Sequence, residues 1–218
     1  MVRLLPASDR ALLVVFDDAI TLEAGRAVRA LHDWIREDPP GALVDLAPAY
    51  ATLLIRYDPL ACDPEALSRE IARRAGSLSG RSLPEGRSFE IPVRYGGEFG
   101  PDLSEVARAA RLTEAEVVRE HADAPYEVRF IGFSPGFPYL SGLPERLHVP
   151  RRPAPRERVP AGSVAIAGGQ AGIYPVGSPG GWNIIGRTEF VLFDPTRSPT
   201  ATLAAGDRVR FRPTEHAG

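Results

Sequence analysis

One stretch constrains the fold more than any other: Arg129 to Thr188, RFIGFSPGFPYLSGLPERLHVPRRPAPRERVPAGSVAIAGGQAGIYPVGSPGGWNIIGRT. Prolines, glycines and aromatics are interleaved here without a helical apolar period. Each Gly permits a left-handed or closely approached backbone and each Pro fixes φ, so the path is specified nearly residue by residue. Two words stand out. Gly132 to Tyr139 (GFSPGFPY) sets Phe133, Phe137 and Tyr139 around two X-Pro bonds, and Ser178 to Asn183 (SPGGWN) sets Gly180 and Gly181 against Trp182 and Asn183. Either the segment builds a concave aromatic site with a few polar donors, or it is a tightly turned barrel whose aromatics are core. Composition alone favours the second reading, because most aromatics are buried.

The flanking pattern divides the chain. A β-rich run, Ala11 to Phe16, is followed by Thr21 to Ile35 with Ala24, Val28, Leu31 and Ile35 on one helical stripe. Two strands, Ala42 to Leu46 and Thr52 to Tyr57, precede a helix with Asp63 as N-cap and Pro64 in its first turn. This order is most of a split β-α-β unit, so residues 1–87 are expected to be a small ferredoxin-like α+β domain. Gly76 to Gly86 (GSLSGRSLPEG) is the linker candidate. Residues 88–218 are expected to be a mainly β barrel or sandwich. Its first strand is Phe89 to Val93, placed at an edge by Pro92; further strands are Glu189 to Phe193 and Arg208 to Arg212. A helical insert spans 102–124, where Asp102 with Glu105, and Thr113 with Glu116, match capping boxes. Its two short helices resemble a helix-turn-helix, but Glu114, Glu116 and Glu120 would face phosphates, so DNA recognition is rejected.

Composition removes several chemistries. A formal net charge of -2 offers no broad field for nucleic acid or anionic membrane. Every basic side chain is Arg, which excludes a Schiff-base lysine and a Walker-type lysine. No apolar run reaches the length of a membrane span, and one cysteine, Cys62, suits a reducing compartment, so the expectation is a cytoplasmic protein. Gly132 to Gly136 matches G-x-S-x-G, but Pro135 lacks the N–H that an oxyanion hole needs after the serine. His32, His121, His148 and His216 show no paired ligand spacing and read as solvated, so no metal site is expected. Arg151, Arg152, Arg156 and Arg158 form either an anion clamp or a solvated, Pro-extended loop; spacing does not separate the two.

The words IPVRYGGEFGPDL, GFSPGFPYLSGLP and PRRPAPRERVPAGSVAIAGGQAGIYPVGSPGGWNIIGRT, closing with LFD, resemble the family of 5-oxoprolinase B subunits, also called KipI or allophanate hydrolase subunit 1. The resemblance implies a cyclophilin-like C-terminal barrel. It also implies a complex with two further 5-oxoprolinase subunits, C (KipA-like) and A, that hydrolyses 5-oxo-L-proline to L-glutamate with ATP, its Mg shared across the complex. Inhibition of a sporulation histidine kinase and a carboxyltransferase-like module of a urea- or amide-metabolising complex are the alternatives it brings. The expected substrate-binding residues are Phe133, Phe137, Tyr139, Gln170, Tyr174, Ser178, Gly180, Gly181, Trp182 and Asn183. Arg151, Arg156 and Arg187 are the expected anion contacts. No catalytic acid or base is assigned; Asp45 and Glu98 are the weak candidates.

Overall fold

A computed structural model describes residues 2–78 and 83–214, in two compact units, Met1–Pro84 and Glu85–Gly218. The middle of the expected linker and His216 lie outside the described residues.

In the first unit, β1 (Arg3–Ser8), β2 (Ala11–Val15), β3 (Leu43–Pro48) and β4 (Thr52–Tyr57) form an antiparallel sheet in the order β1-β2-β4-β3. Helix α1 (Leu22–Glu37) starts where Thr21 Oγ1 accepts from Ala24 N at 3.1 Å. It buries the expected stripe of Ala24, Val28, Leu31 and Ile35. Helix α2 (Pro64–Gly76) is capped by Asp63, which accepts from Glu65 N at 3.0 Å. Leu67 and Ile71 join Val14, Leu31, Leu53 and Ile55 in one core. The sheet edge beside β2 is held by β1, whereas a split β-α-β unit would supply a strand after α2. Strand β1 is almost wholly exposed and lacks apolar alternation, so periodicity does not reveal it.

The second unit is a closed seven-stranded barrel. Its strands are β5 (Ser88–Tyr95), β6 (Tyr126–Ile131), β7 (Pro138–Ser141), β9 (Ser163–Ala167), β10 (Gln170–Ile173), β12 (Asn183–Arg187) and β13 (Arg208–Pro213), in the order β10-β7-β6-β13-β5-β12-β9. Two further strands, β8 (Arg156–Val159) and β11 (Ser178–Gly180), pair only with each other and form a flap. Helices α3 (Leu103–Ala110) and α4 (Glu114–Asp123) make the insert, with Val106, Ala107 and Val117 in the barrel core.

Three expectations change. Strand β5 is not an edge: it runs parallel to β13 and antiparallel to β12. The β12 side pairs only at Arg94 and Tyr95, so Pro92 lies where β5 has no ladder partner on that side. Residues 189–193 form no strand. Leu192 O accepts from Thr202 N at 2.9 Å, and one isolated bridge joins Phe193 to Ala201. Thr113 and Glu116 complete a capping box, but the Asp102 side chain makes no capping bond to α3.

His121 is also not solvated. It is fully buried on α4, its ring stacked on Phe211 at 4.6 Å and its Nδ1 2.8 Å from Tyr95 Oη. Burial lowers its pKa from 6.5 to about 3, so it is neutral in the fold. Between those values the unfolded chain binds a proton that the native chain does not, and stability therefore falls with falling pH. The double variant Tyr95→Phe/His121→Phe removes this dependence. Urea denaturation at a series of pH values below 6.5 should show a shallower acid loss than the wild type.

Candidate functional site

Alternation along β9 places Val164 and Ile166 in the barrel core, while Ala165 and Ala167 face outward into a second cluster. That cluster contains Phe137, Val159, Tyr174, Trp182 and Ile184, with Tyr139 packed against it. The small outward alanines leave room for large rings against the barrel wall.

The GFSPGF word forms the loop joining β6 and β7. Gly132 N donates to Phe137 O at 3.0 Å, and Phe137 N closes a turn on Ser134 O at 3.0 Å. Pro135 supplies the fixed φ and Gly136 the positive one, 81°. A Cβ on Gly136 would lie 2.7 Å from Phe193 Cβ. Phe133 itself holds φ 66° and is 62% exposed, a conformation that costs a bulky residue about 1–2 kcal/mol. Its ring edge meets Phe137 and Tyr174 at centroid distances of 5.5 and 6.2 Å. A strained, exposed aromatic at the mouth of a cavity points to a selected geometry.

That cavity holds about 90 Å³ and is lined by Phe133, Phe137, Tyr139, Arg151, Tyr174, Gly180, Gly181 and Trp182. Near-perpendicular ring pairs frame it: Phe137–Trp182 at 5.6 Å and Tyr139–Trp182 at 5.8 Å. The Trp182 backbone acts against the rise in the Tyr174 pKa, and a Cβ on Gly180 would lie 2.3 Å from Tyr174 Oη. Burial raises the pKa of both Tyr174 and Tyr139, and the charge of Arg151 opposes it at each. Both phenols are therefore neutral hydrogen-bond donors at neutral pH. The Arg151 guanidinium lies 6.0 Å from the Trp182 ring centroid, and among the described residues it pairs with no carboxylate.

The other expected site residues lie elsewhere. Arg156 is committed to Asp102, donating through Nη1 at 2.9 Å and Nη2 at 2.8 Å. Asn183 is buried, its Nδ2 donating to Pro150 O at 2.9 Å and Ile166 O at 3.3 Å. Gln170 opens β10 opposite Ala167, and Ser178 opens β11 opposite Val159; neither lines the cavity. Arg187 lines a separate groove of about 540 Å³ with Arg94, Phe99, Thr188, Glu189 and Phe193. Asp45 is exposed in the first unit, 3.7 Å from Arg56, and Glu98 is exposed in the second. His148 Nε2 meets Leu143 O at 3.1 Å, and His32 Nδ1 meets Asp33 at 2.9 Å. Among the described residues no three metal-ligating side chains converge, and no helix is long and apolar enough to cross a membrane.

Sequence reasoning missed Asp102. Its carboxylate is 3% exposed, and beyond Arg156 it accepts from Arg152 Nη1 at 2.7 Å and from Ile184 N at 2.7 Å. No local signal marked it: the arginines lie about fifty residues further along the chain, and a capping motif offered Asp102 a ready role.

Residues 2–203 match the family model for carboxyltransferase domain, subdomain C and D. The crystal structure of TTHA0988 superposes with a TM-score of 0.82 at 41% identity over 94% of this chain, which spans only 40% of that one. Two relatives carry a more particular description. The 5-oxoprolinase B subunit of Bacillus subtilis is 38% identical over 213 residues, 93% of this chain and 89% of that protein. That of Escherichia coli O157:H7 is 56% identical over 130 residues, 60% of each chain. The chain belongs to the family of 5-oxoprolinase B subunits, within the carboxyltransferase C and D subdomains.

The packing of Gly180 is testable against its neighbour. Gly180→Ala forces Tyr174 Oη aside and should cost about 1–3 kcal/mol in urea denaturation. Gly181→Ala meets Pro155 at an ordinary 3.7 Å and should cost far less.

Proposed function

We propose that this chain is the B subunit of an ATP-dependent 5-oxoprolinase, and that its aromatic cavity receives the lactam. The observation that carries the reading is the pairing of that cavity with Arg151. A volume of about 90 Å³, well below that of drug-sized sites, suits a small ring and not a nucleotide. Perpendicular aromatic walls take the apolar edge of a five-membered ring. Arg151, with no carboxylate partner among the described residues, takes its carboxylate as a charge-assisted fork. The neutral phenols of Tyr139 and Tyr174 supply donors beside it.

A lactam carbonyl is a poor electrophile. ATP supplies the phosphoryl group that activates it, and water then opens the ring; the products are L-glutamate, ADP and phosphate. What this chain contributes is positioning, which converts an encounter into an oriented complex, and fixed donors where charge develops. The groove of about 540 Å³ lies within the size range of nucleotide sites. Arg187 gives only its Nε–H to Ala161 O there, so its remaining donors are free to meet phosphate among the described residues. A site for Mg-ATP would be completed by the A and C subunits, whose own groups would direct the water that opens the ring. The exposed ring of Phe133 at the cavity mouth suits a face covered by such a partner.

The test mixes the chain with the A and C subunits and measures phosphate and glutamate together. Both should appear only in the full mixture and only with 5-oxoproline. Arg151→Ala should raise KM for 5-oxoproline by about tenfold or more, the worth of a charged hydrogen bond. The same variant should leave binding of 2-pyrrolidinone, the ring without the carboxylate, unchanged. A silent mixture, with suppression of histidine kinase autophosphorylation by this chain, would instead make the aromatic face a docking surface.

A further inference from the structure

We propose that Asp102 is a positioning residue whose buried carboxylate sets the separation of the cavity walls. The inference rests on reading the aromatic cavity as the substrate site. Asp102 immediately precedes α3 but does not cap it; its two oxygens instead take four donors from the segments that build the cavity. Arg152 adjoins Arg151. Arg156 stands opposite Gly180 in the flap. Ile184 lies two residues past Trp182, and its carbonyl accepts a 2.9 Å bond from Asp102 N.

The rings pack on one another and on β9, but the flap and the arginine-rich loop that close the cavity have little else to hold them. The flap has only two paired positions, Ser178 with Val159 and Gly180 with Arg156, and its register shifts between them. One backbone bond, Arg152 N to Gly181 O at 2.9 Å, and the Asn183 bond to Pro150 O join the two segments directly. A short two-stranded ribbon is marginal by itself. The ion cluster supplies the missing constraint, because a bidentate Arg–carboxylate contact fixes direction as well as distance. It also decides which arginine is free: Arg152 and Arg156 are consumed by Asp102, while Arg151 remains at the cavity. Glu105, 3.5 Å from Arg152, is the other carboxylate beside the cluster.

The experiment uses the full chain carrying Trp34→Phe, so that Trp182 is the one indole left. Asp102→Asn keeps the shape but loses the charge that holds both guanidinia. Expected are a red-shifted, more readily quenched Trp182 emission and a rise of about tenfold or more in the KM of the assembled complex for 5-oxoproline. Asp102→Glu should recover part of both. Because kcat reflects groups on the partner subunits, it should move far less than KM. An unchanged Trp182 spectrum and KM alongside a lowered melting temperature would overturn the proposal and leave Asp102 a purely structural residue. If Asp102→Asn does not fold, Arg152→Gln leaves the Asp102–Arg156 pair intact, and the same two readouts decide. If the wild-type complex does not act on 5-oxoproline, the functional reading falls, while the Trp182 emission still decides whether Asp102 sets the cavity.

Discussion

Strand β9 is buried on both faces, and the rest of the second unit depends on it. Its inward Val164 and Ile166 belong to the barrel core, and its outward Ala165 and Ala167 to the aromatic cluster. A one-residue slip would exchange the two sets, pushing branched side chains into the rings and alanines into the barrel. Such a slip is costly on both sides at once. The register of β9 with β10 and β12 is therefore strongly specified, and it delivers Tyr174 and Trp182 to the same patch.

Upon that wall the chain lays a candidate site of two kinds of material. The rings of Phe137, Tyr139, Tyr174 and Trp182 are rigid and held by mutual edge-to-face packing. The polar part comes from an arginine-rich loop whose members serve opposite ends. Two guanidinia are spent on one buried carboxylate, and a buried charge that loses its partner is costly. Arg151 is left at the cavity with an aromatic face beneath it.

Much of this was legible in the sequence, for physical reasons that differ by element. The stripe of Ala24, Val28, Leu31 and Ile35 and the caps at Thr113 and Asp63 are local, so they can be read locally. The aromatic words were legible as a closely specified backbone path, because Gly and Pro at those positions admit few alternatives, and burial of Phe137, Tyr174 and Trp182 agrees with the core reading that composition favours. What was not legible depends on distant partners. Nothing in RRPAPRER distinguishes Arg151 from Arg156 until Asp102, some fifty residues earlier, is brought beside one of them. His121 reads as polar until Tyr95, Tyr126 and Phe211 close around it. Strand β1 has no alternating pattern because it is used mainly through its edge, with Leu4 its one residue packed against the core among those described.

The parallel pairing of β5 with β13 carries a kinetic consequence. Ser88 to Val93 finds its partner in Arg208 to Pro213, at the far end of the unit's sequence. Loop-closure entropy and high contact order slow such a step. During synthesis from the N-terminus, one side of β5 and the start of β6, at Tyr126 and Glu127, must wait for β13, whereas the rest of β6 can pair with β7 as soon as that strand emerges. The helical insert, which is local and carries its own caps, can form well before then. The barrel is consequently a late event, and a nascent chain halted short of Arg208 exposes open strand edges, the surfaces that chaperones and aggregation compete for.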